Sequence, residues 1–331
     1  MTMKISCAFG PSRTTPGDIR LAEELGYDGA WIYDSPAVYL DPWMTLALAA
    51  SLTERIDLGV GMLTPALRHP LVTASAMATA YELAPGRIVI GVGAGASSRW
   101  LLDEKPMRWA EIGDYLGTLK ALLRGEVAEW NGHVLQMKHP DGWGPERPIH
   151  IPVLVGAEGP KGLAVAREHG DGVSTFVQTA PQEFDWIMRL VFGTELEPGE
   201  DLDSDRIHEA VGPIAGLGYH AAYAWSGRDA VLGLPNGEAW IEAVEAIPER
   251  ERHLFVHAGH GVVVNDIDEG IVPREVAVAG TWVGSADEIR RHIEDLADVG
   301  VTEVTYQPGG PDLARELETF AALAKEFQST T

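Results

Sequence analysis

The chain has 331 residues, 45% of them apolar, enough for one large core or two smaller ones, and we read it as a single domain spanning residues 1–331. Its 49 acidic residues against 25 basic ones leave a formal charge of −24, a field that repels nucleic acid and anionic membrane and removes both as partners. Cys7 is the only cysteine, which excludes an internal disulfide or a cysteine metal cluster; with no signal pattern at the N-terminus and no apolar run longer than Trp43 to Leu52, the expectation is a soluble cytoplasmic protein.

Short apolar runs alternate with amphipathic helical segments along most of the chain, the pattern of parallel β-α units. Strands are expected at 4–9, 29–33, 56–62, 87–92, 151–155, 172–176, 210–215 and 303–306, and helices at 18–25, 42–53, 70–83, 107–124, 160–169, 286–299 and 312–327. A short echo, Gly26 before strand two, Gly170 before strand six and Gly300 before strand eight, predicts a glycine that closes each preceding helix in a left-handed conformation. Eight such units predict a (β/α)₈ TIM barrel; an open doubly wound sheet shares the same local grammar.

Two segments interrupt the rhythm, 194–209 with seven acids and one arginine, and 226–280 with mixed composition. Both read as insertions, which in a barrel sit on the C-terminal face and wall a pocket or join subunits. Asp201-x-Asp203-x-Asp205 is not a calcium loop, because Arg206 stands where Gly is needed and Gly212 where a bidentate Glu is needed.

Barrel enzymes place their chemistry at the C-terminal strand ends. Here those ends are Gly10, Asp34-Ser35, Thr64-Pro65, Gly93-Ala94-Gly95, Gly156-Ala157-Glu158-Gly159, Val177-Gln178, Tyr219-His220 and Gln307-Pro308. They hold no Schiff-base lysine, no glycosidase carboxylate pair and no G-x-S-x-G elbow. Small residues after strands three, four and five instead let something flat lie against backbone, which favours a cofactor that brings its own chemistry. Asp34 reads equally as a cap or loop residue and as an acceptor in the site; His220 lines the pocket or is packed beside Tyr219 and Tyr223. Arg68-His69-Pro70 is a turn or a basic contact to the cofactor. His253, His257 and His260 have helix-like spacing but no H-E-x-x-H, so no metal centre is expected.

The turn Gly156-Ala157-Glu158-Gly159-Pro160 lacks the Gly-Lys-Ser/Thr of a Walker loop and the third glycine of a dinucleotide fingerprint. What remains is an anion site: amide N–H groups left open at the positive end of a helix dipole, with Pro160 in the first turn, where its missing N–H costs nothing. An ordinary strand-to-helix turn is the competing reading.

The segments "GYDGAWIYDS", "IDLGVGMLTPALRHP", "RIVIGVGAG", "VGAEGPKGLAVAREHGDG" and "VGSADEIRRHIEDLADVGVTEVTYQP" together resemble the luciferase-like flavin monooxygenase superfamily, and within it the deazaflavin-dependent methylenetetrahydromethanopterin reductase type. The resemblance implies a TIM barrel that binds coenzyme F420 or FMN at its C-terminal face, and a homodimer or higher homo-oligomer. It implies phosphate on Gly156, Ala157, Glu158, Gly159 and Pro160, and Asp34 near the ring system. Gly93, Ala94 and Gly95 would lie along the cofactor chain, with Thr64 against the ring or its side chain and a non-prolyl cis peptide at Gly61-Met62. Deazaflavin dehydrogenases carry His after the strand-two Asp, and the sugar-phosphate branch carries Glu after the strand-four glycines; here Ser35 and Ala96 stand there, which argues against alcohol or sugar-phosphate oxidation. The implied activity is hydride transfer to or from a small organic substrate, with a proton from water, Ser35 or His220. FMN-dependent oxygenation and a non-catalytic flavin-binding protein are the alternatives.

Overall fold

A computed structural model describes residues 3–176 and 181–328. Eight parallel strands close into a barrel: β1 (Lys4–Phe9), β2 (Gly29–Ile32), β3 (Asp57–Leu63), β4 (Ile88–Val92), β5 (Val153–Gly156), β6 (Gly172–Thr175), β7 (Ile187–Glu195) and β8 (Glu303–Gln307). Closure comes from β8 pairing with β1 on one side and β7 on the other. Residues Val177 and Gln178, expected at the end of β6, lie outside the described residues.

The barrel interior is filled by Ala8, Trp31, Val89, Leu154 and Met188. β3 carries Gly59 and Gly61 because the Trp31 indole lies where a Cβ would stand at either position. At the N-terminal end, buried Glu303 accepts the indole N–H groups of Trp31 (3.0 Å) and Trp186 (2.6 Å), so its charge is hydrogen-bonded rather than orphaned. A larger apolar layer between strands and outer helices includes Ile32, Leu58, Ile90, Leu116 and Leu119.

The helix-closing glycines follow expectation at Gly26 (φ 94°) and Gly300 (φ 90°). Gly170 does not: it is extended, with φ −92° and ψ 158°. Its lack of a side chain answers a steric need, since a Cβ there would meet the Ala166 carbonyl at 2.8 Å.

The seventh strand is the main correction. Residues 210–215 belong to the helix Asp205–Ser226, and β7 lies upstream at Ile187–Glu195. Gly212, Pro213, Gly216 and Gly218 depress helix propensity in that segment, yet packing overrides it: Ile207, Val211, Tyr219, Trp240, Ile241 and Val244 form a separate apolar cluster. The insertion therefore begins after Glu195 and includes the long helix, rather than forming two blocks at 194–209 and 226–280. No helix among the described residues is long and apolar enough to cross a membrane.

Candidate functional site

The ends of β2, β3 and β4 converge on a polar cluster. Asp34 follows β2, is 3% exposed, and through Oδ2 accepts the Thr64 N–H at 3.3 Å; its Oδ1 is buried with no hydrogen-bond partner among the described residues. Burial pushes its carboxyl above the ordinary range and nearby Asp41 adds to this, while the Thr64 N–H and the Arg68 charge oppose it. Ser35 Oγ lies 2.9 Å from Ser97 Oγ, and Thr64 Oγ1 lies 2.8 Å from Ser98 Oγ. Thus a short helix, Ala96–Trp100, delivers two serines that sequence reasoning missed. Gly95 makes the turn into it at φ 77°, where a Cβ would also strike the Thr64 side chain.

The peptide Gly61–Met62 is cis, at the position the resemblance implied. From there the Met62 side chain runs across the ends of β4 and β5. A Cβ on Gly93 would meet Met62 Cβ at 3.1 Å, and one on Gly156 would meet Met62 Cγ at 3.1 Å. These two glycines therefore admit the Met62 side chain. The Ala94 carbonyl is taken by the Met107 N–H at 2.9 Å.

The turn after β5 enters the helix Pro160–His169 with Gly159 at the cap position and no side chain capping it. The Ala157 N–H is spent on the Ser174 carbonyl (3.1 Å), and the Glu158 carboxylate accepts the Phe176 N–H. A Cβ on Gly159 would meet nothing within 4 Å, so the approach to the first helical amides is open. Arg189 on β7 faces this region: its Nε donates to Thr175 Oγ1 at 3.1 Å, and the Glu158 charge acts on it. The misplaced seventh strand hid this basic side chain from sequence reasoning.

Arg68 and His69 take structural roles. Arg68 pairs with Asp41, and His69 Nδ1 accepts the Leu71 N–H at 3.2 Å to cap the helix Pro70–Leu83. His220 is not at a strand end: it lies in the helix Asp205–Ser226, 2% exposed, with Nε2 2.9 Å from Asp268 Oδ2. The insertion itself is fastened to the barrel mouth. Tyr39 donates to the His260 carbonyl, Gln307 Nε2 donates to the Gly261 carbonyl at 2.7 Å, and the Trp100 ring stacks on His257 with centroids 5.2 Å apart. An open depression of about 530 Å³, lined by Pro11–Thr14 and Pro36–Leu40, adjoins the loops after β1 and β2 rather than the turn after β5.

The chain is similar to known proteins in sequence and in fold. The 5,10-methylenetetrahydromethanopterin reductase of Archaeoglobus fulgidus is 26% identical over 324 residues, covering 91% of each chain. The F420-dependent glucose-6-phosphate dehydrogenase of Intrasporangium calvum is 28% identical over 339 residues, covering 95% of this chain and 94% of that one. The solved structure of the coenzyme F420-dependent tetrahydromethanopterin reductase from Methanopyrus kandleri superimposes with a TM-score of 0.68 at 22% identity, covering 99% of this chain and 100% of that one. Residues 13–303 match the family model described as luciferase-like monooxygenase, and the chain belongs to that family.

Proposed function

We propose that this protein is a coenzyme F420-dependent oxidoreductase acting on a small organic substrate. The observation that carries the reading is the pairing, on one barrel face, of an uncapped helix N-terminus at Gly159 with a buried, half-satisfied carboxyl at Asp34. When bound, the deazaflavin supplies a hydride for two-electron transfer to or from an unsaturated carbon. The first amides of the helix Pro160–His169, reached past the turn at Gly159 and with Arg189 nearby, hold its phosphate, and the helix dipole adds positive potential in a chain that is otherwise strongly acidic. Gly93, Ala94 and Gly95 let the cofactor lie against backbone, with Gly61, Met62 and Thr64 beneath it.

Asp34 holds or releases a proton at Oδ1, and burial, which raises its pKa, favours the protonated carboxyl. Ser35, bonded to Ser97, stands beside it to orient substrate or relay that proton. His220, enclosed and committed through Nε2 to Asp268, is better placed to bind than to shuttle a proton. FMN-dependent oxygenation would use the same turn; the reductase and dehydrogenase named above weigh toward hydride transfer. Replacing Asp34 by Ala should abolish turnover with an unchanged circular dichroism spectrum, and full activity in the folded variant would overturn its assigned role.

The chain is expected to self-associate through the helix Pro42–Leu52. This helix buries Trp43, Leu46 and Ala50 yet exposes Met44, Leu48 and Leu52 at i, i+4 and i+8. An element apolar on both faces belongs in an interior or an interface.

A further inference from the structure

The insertion carries a cluster that the deazaflavin chemistry leaves unused. His220 from the long helix meets His257 and His260 from the segment after the helix Arg252–Val256, and one ring nitrogen of each lies within 4.8 Å of the others. His220 and His257 are 2% and 3% exposed, and His260 is half-buried. The Nδ1 atoms of all three are buried without a hydrogen-bond partner among the described residues. Buried ring nitrogens left without partners in a cluster this close are unfavourable unless something between the rings satisfies them.

The surroundings orient these rings. The Asp268 carboxylate can only accept, so His220 donates its Nε2–H at 2.9 Å and keeps the Nδ1 lone pair free. Asp268 is itself held: Oδ1 accepts Trp240 Nε1–H at 2.9 Å, and its backbone N–H donates to Asn265 Oδ1 at 2.9 Å. Gly216 sits one turn before His220, and a Cβ there would run into the Asp268 carboxylate. The Trp100 ring packs flat on His257. A carboxylate fixing the far nitrogen of an imidazole is the outer-shell arrangement of metal-binding histidines.

We propose that His220, His257 and His260 form a three-histidine site for a divalent transition metal of the zinc class, with Asp268 orienting His220. Imidazole ligands suit zinc, copper, nickel and iron, and a tetrahedral ion at ~2.0–2.1 Å from each nitrogen needs ligand atoms roughly 3.3 Å apart, which small side-chain rotations reach. Bound there, the ion ties the helix Asp205–Ser226 to the segment that Tyr39 and Gln307 fasten to the barrel mouth. It therefore stiffens the wall over the C-terminal face, whichever cofactor that face takes.

The test uses untagged full-length protein stripped with chelator, dialysed against zinc or cobalt, desalted and measured by plasma mass spectrometry. One ion per chain and a rise in melting temperature are expected. His257→Gln and His260→Gln, checked for folding by circular dichroism, should lose stoichiometric binding, and Asp268→Asn should weaken affinity about 10–100-fold. X-ray absorption on the zinc-loaded wild type provides a readout independent of the variants, with three imidazole ligands expected. Substoichiometric uptake by the wild type, full uptake by the folded His257→Gln and His260→Gln chains, or a zinc shell without imidazole overturns the proposal.

Discussion

Replacing Gly159 by Asp separates a phosphate site from an ordinary strand-to-helix turn, because the two readings differ in what the ligand then does. Gly159 has φ −89° and ψ 162°, which any residue adopts, and a Cβ there meets nothing within 4 Å, so the substitution brings no strain. An Asp at this uncapped position accepts an amide N–H, worth a few tenths of a kcal/mol over Gly. Its charge at the positive helix end adds about 0.3–1 kcal/mol. The unliganded chain should thus become more stable by about 0.5–1 kcal/mol. The same carboxylate stands where the phosphate would bind. At ~4 Å and an effective dielectric between roughly 20 and 80, repulsion between unit charges is about 1–4 kcal/mol. That corresponds to about 5- to 1,000-fold in Kd. Urea unfolding of the apoprotein and fluorescence titration with the deazaflavin give both numbers. A variant that is more stable yet binds cofactor as tightly as the parent would refute the assignment of phosphate to this turn.

Other expectations follow from named contacts. Asp34→Asn should cut turnover by about 10²–10⁴-fold if the carboxyl moves a proton. Its stability relative to the parent should also change with pH. The native carboxyl titrates above its unfolded value near ~3.9, so folding carries no penalty from it in acid and a growing one as pH rises toward the native pKa. The difference in unfolding free energy should therefore shift in favour of Asn between acid and neutral pH, and a difference independent of pH would contradict the raised pKa. Gly95→Ala forces a side chain into left-handed backbone, about 1–2 kcal/mol, and displaces Thr64 from Ser98, about 0.5–1.5 kcal/mol. Urea unfolding should show a loss of about 1.5–3.5 kcal/mol, and no measurable loss would contradict the packing described. Met44→Glu combined with Leu48→Glu should yield a folded monomer by light scattering, whereas a persistent dimer would move the interface elsewhere.

Much of the barrel was legible because local rules and tertiary needs coincide there. Apolar runs such as Ile88–Val92 are buried as parallel strands, and Gly26 and Gly300 close helices as their spacing implied. The seventh unit was not legible. Ala210–Ala215 carries the β-branched Val211 and Ile214 around Gly212 and Pro213, which disfavour a helix, so it reads as strand, but the helix forms because Tyr219, Trp240 and Val211 pack together. Its glycines serve close approaches, Gly216 to Asp268 above all, which no local pattern reveals. In the candidate site, Asp34, Thr64 and the Gly156–Pro160 turn stood at strand ends and could be named in advance. Ser97, Ser98 and Arg189 could not, because their place depends on a short helix after Gly95 and on the true position of β7. The histidine cluster was invisible for a related reason: His253, His257 and His260 share a spacing, but the third partner is His220, 37 residues before His257, oriented by Asp268.

The most direct test of the central claim is a pair of anaerobic titrations of the purified apoprotein, one with coenzyme F420 and one with FMN, followed by absorbance and fluorescence. Tight and selective F420 binding, weakened at least several-fold in the Gly159→Asp chain, is the result this account predicts. Selective FMN binding would contradict the hydride-transfer reading, and binding of neither would contradict the assignment of every cofactor residue from Asp34 to Pro160.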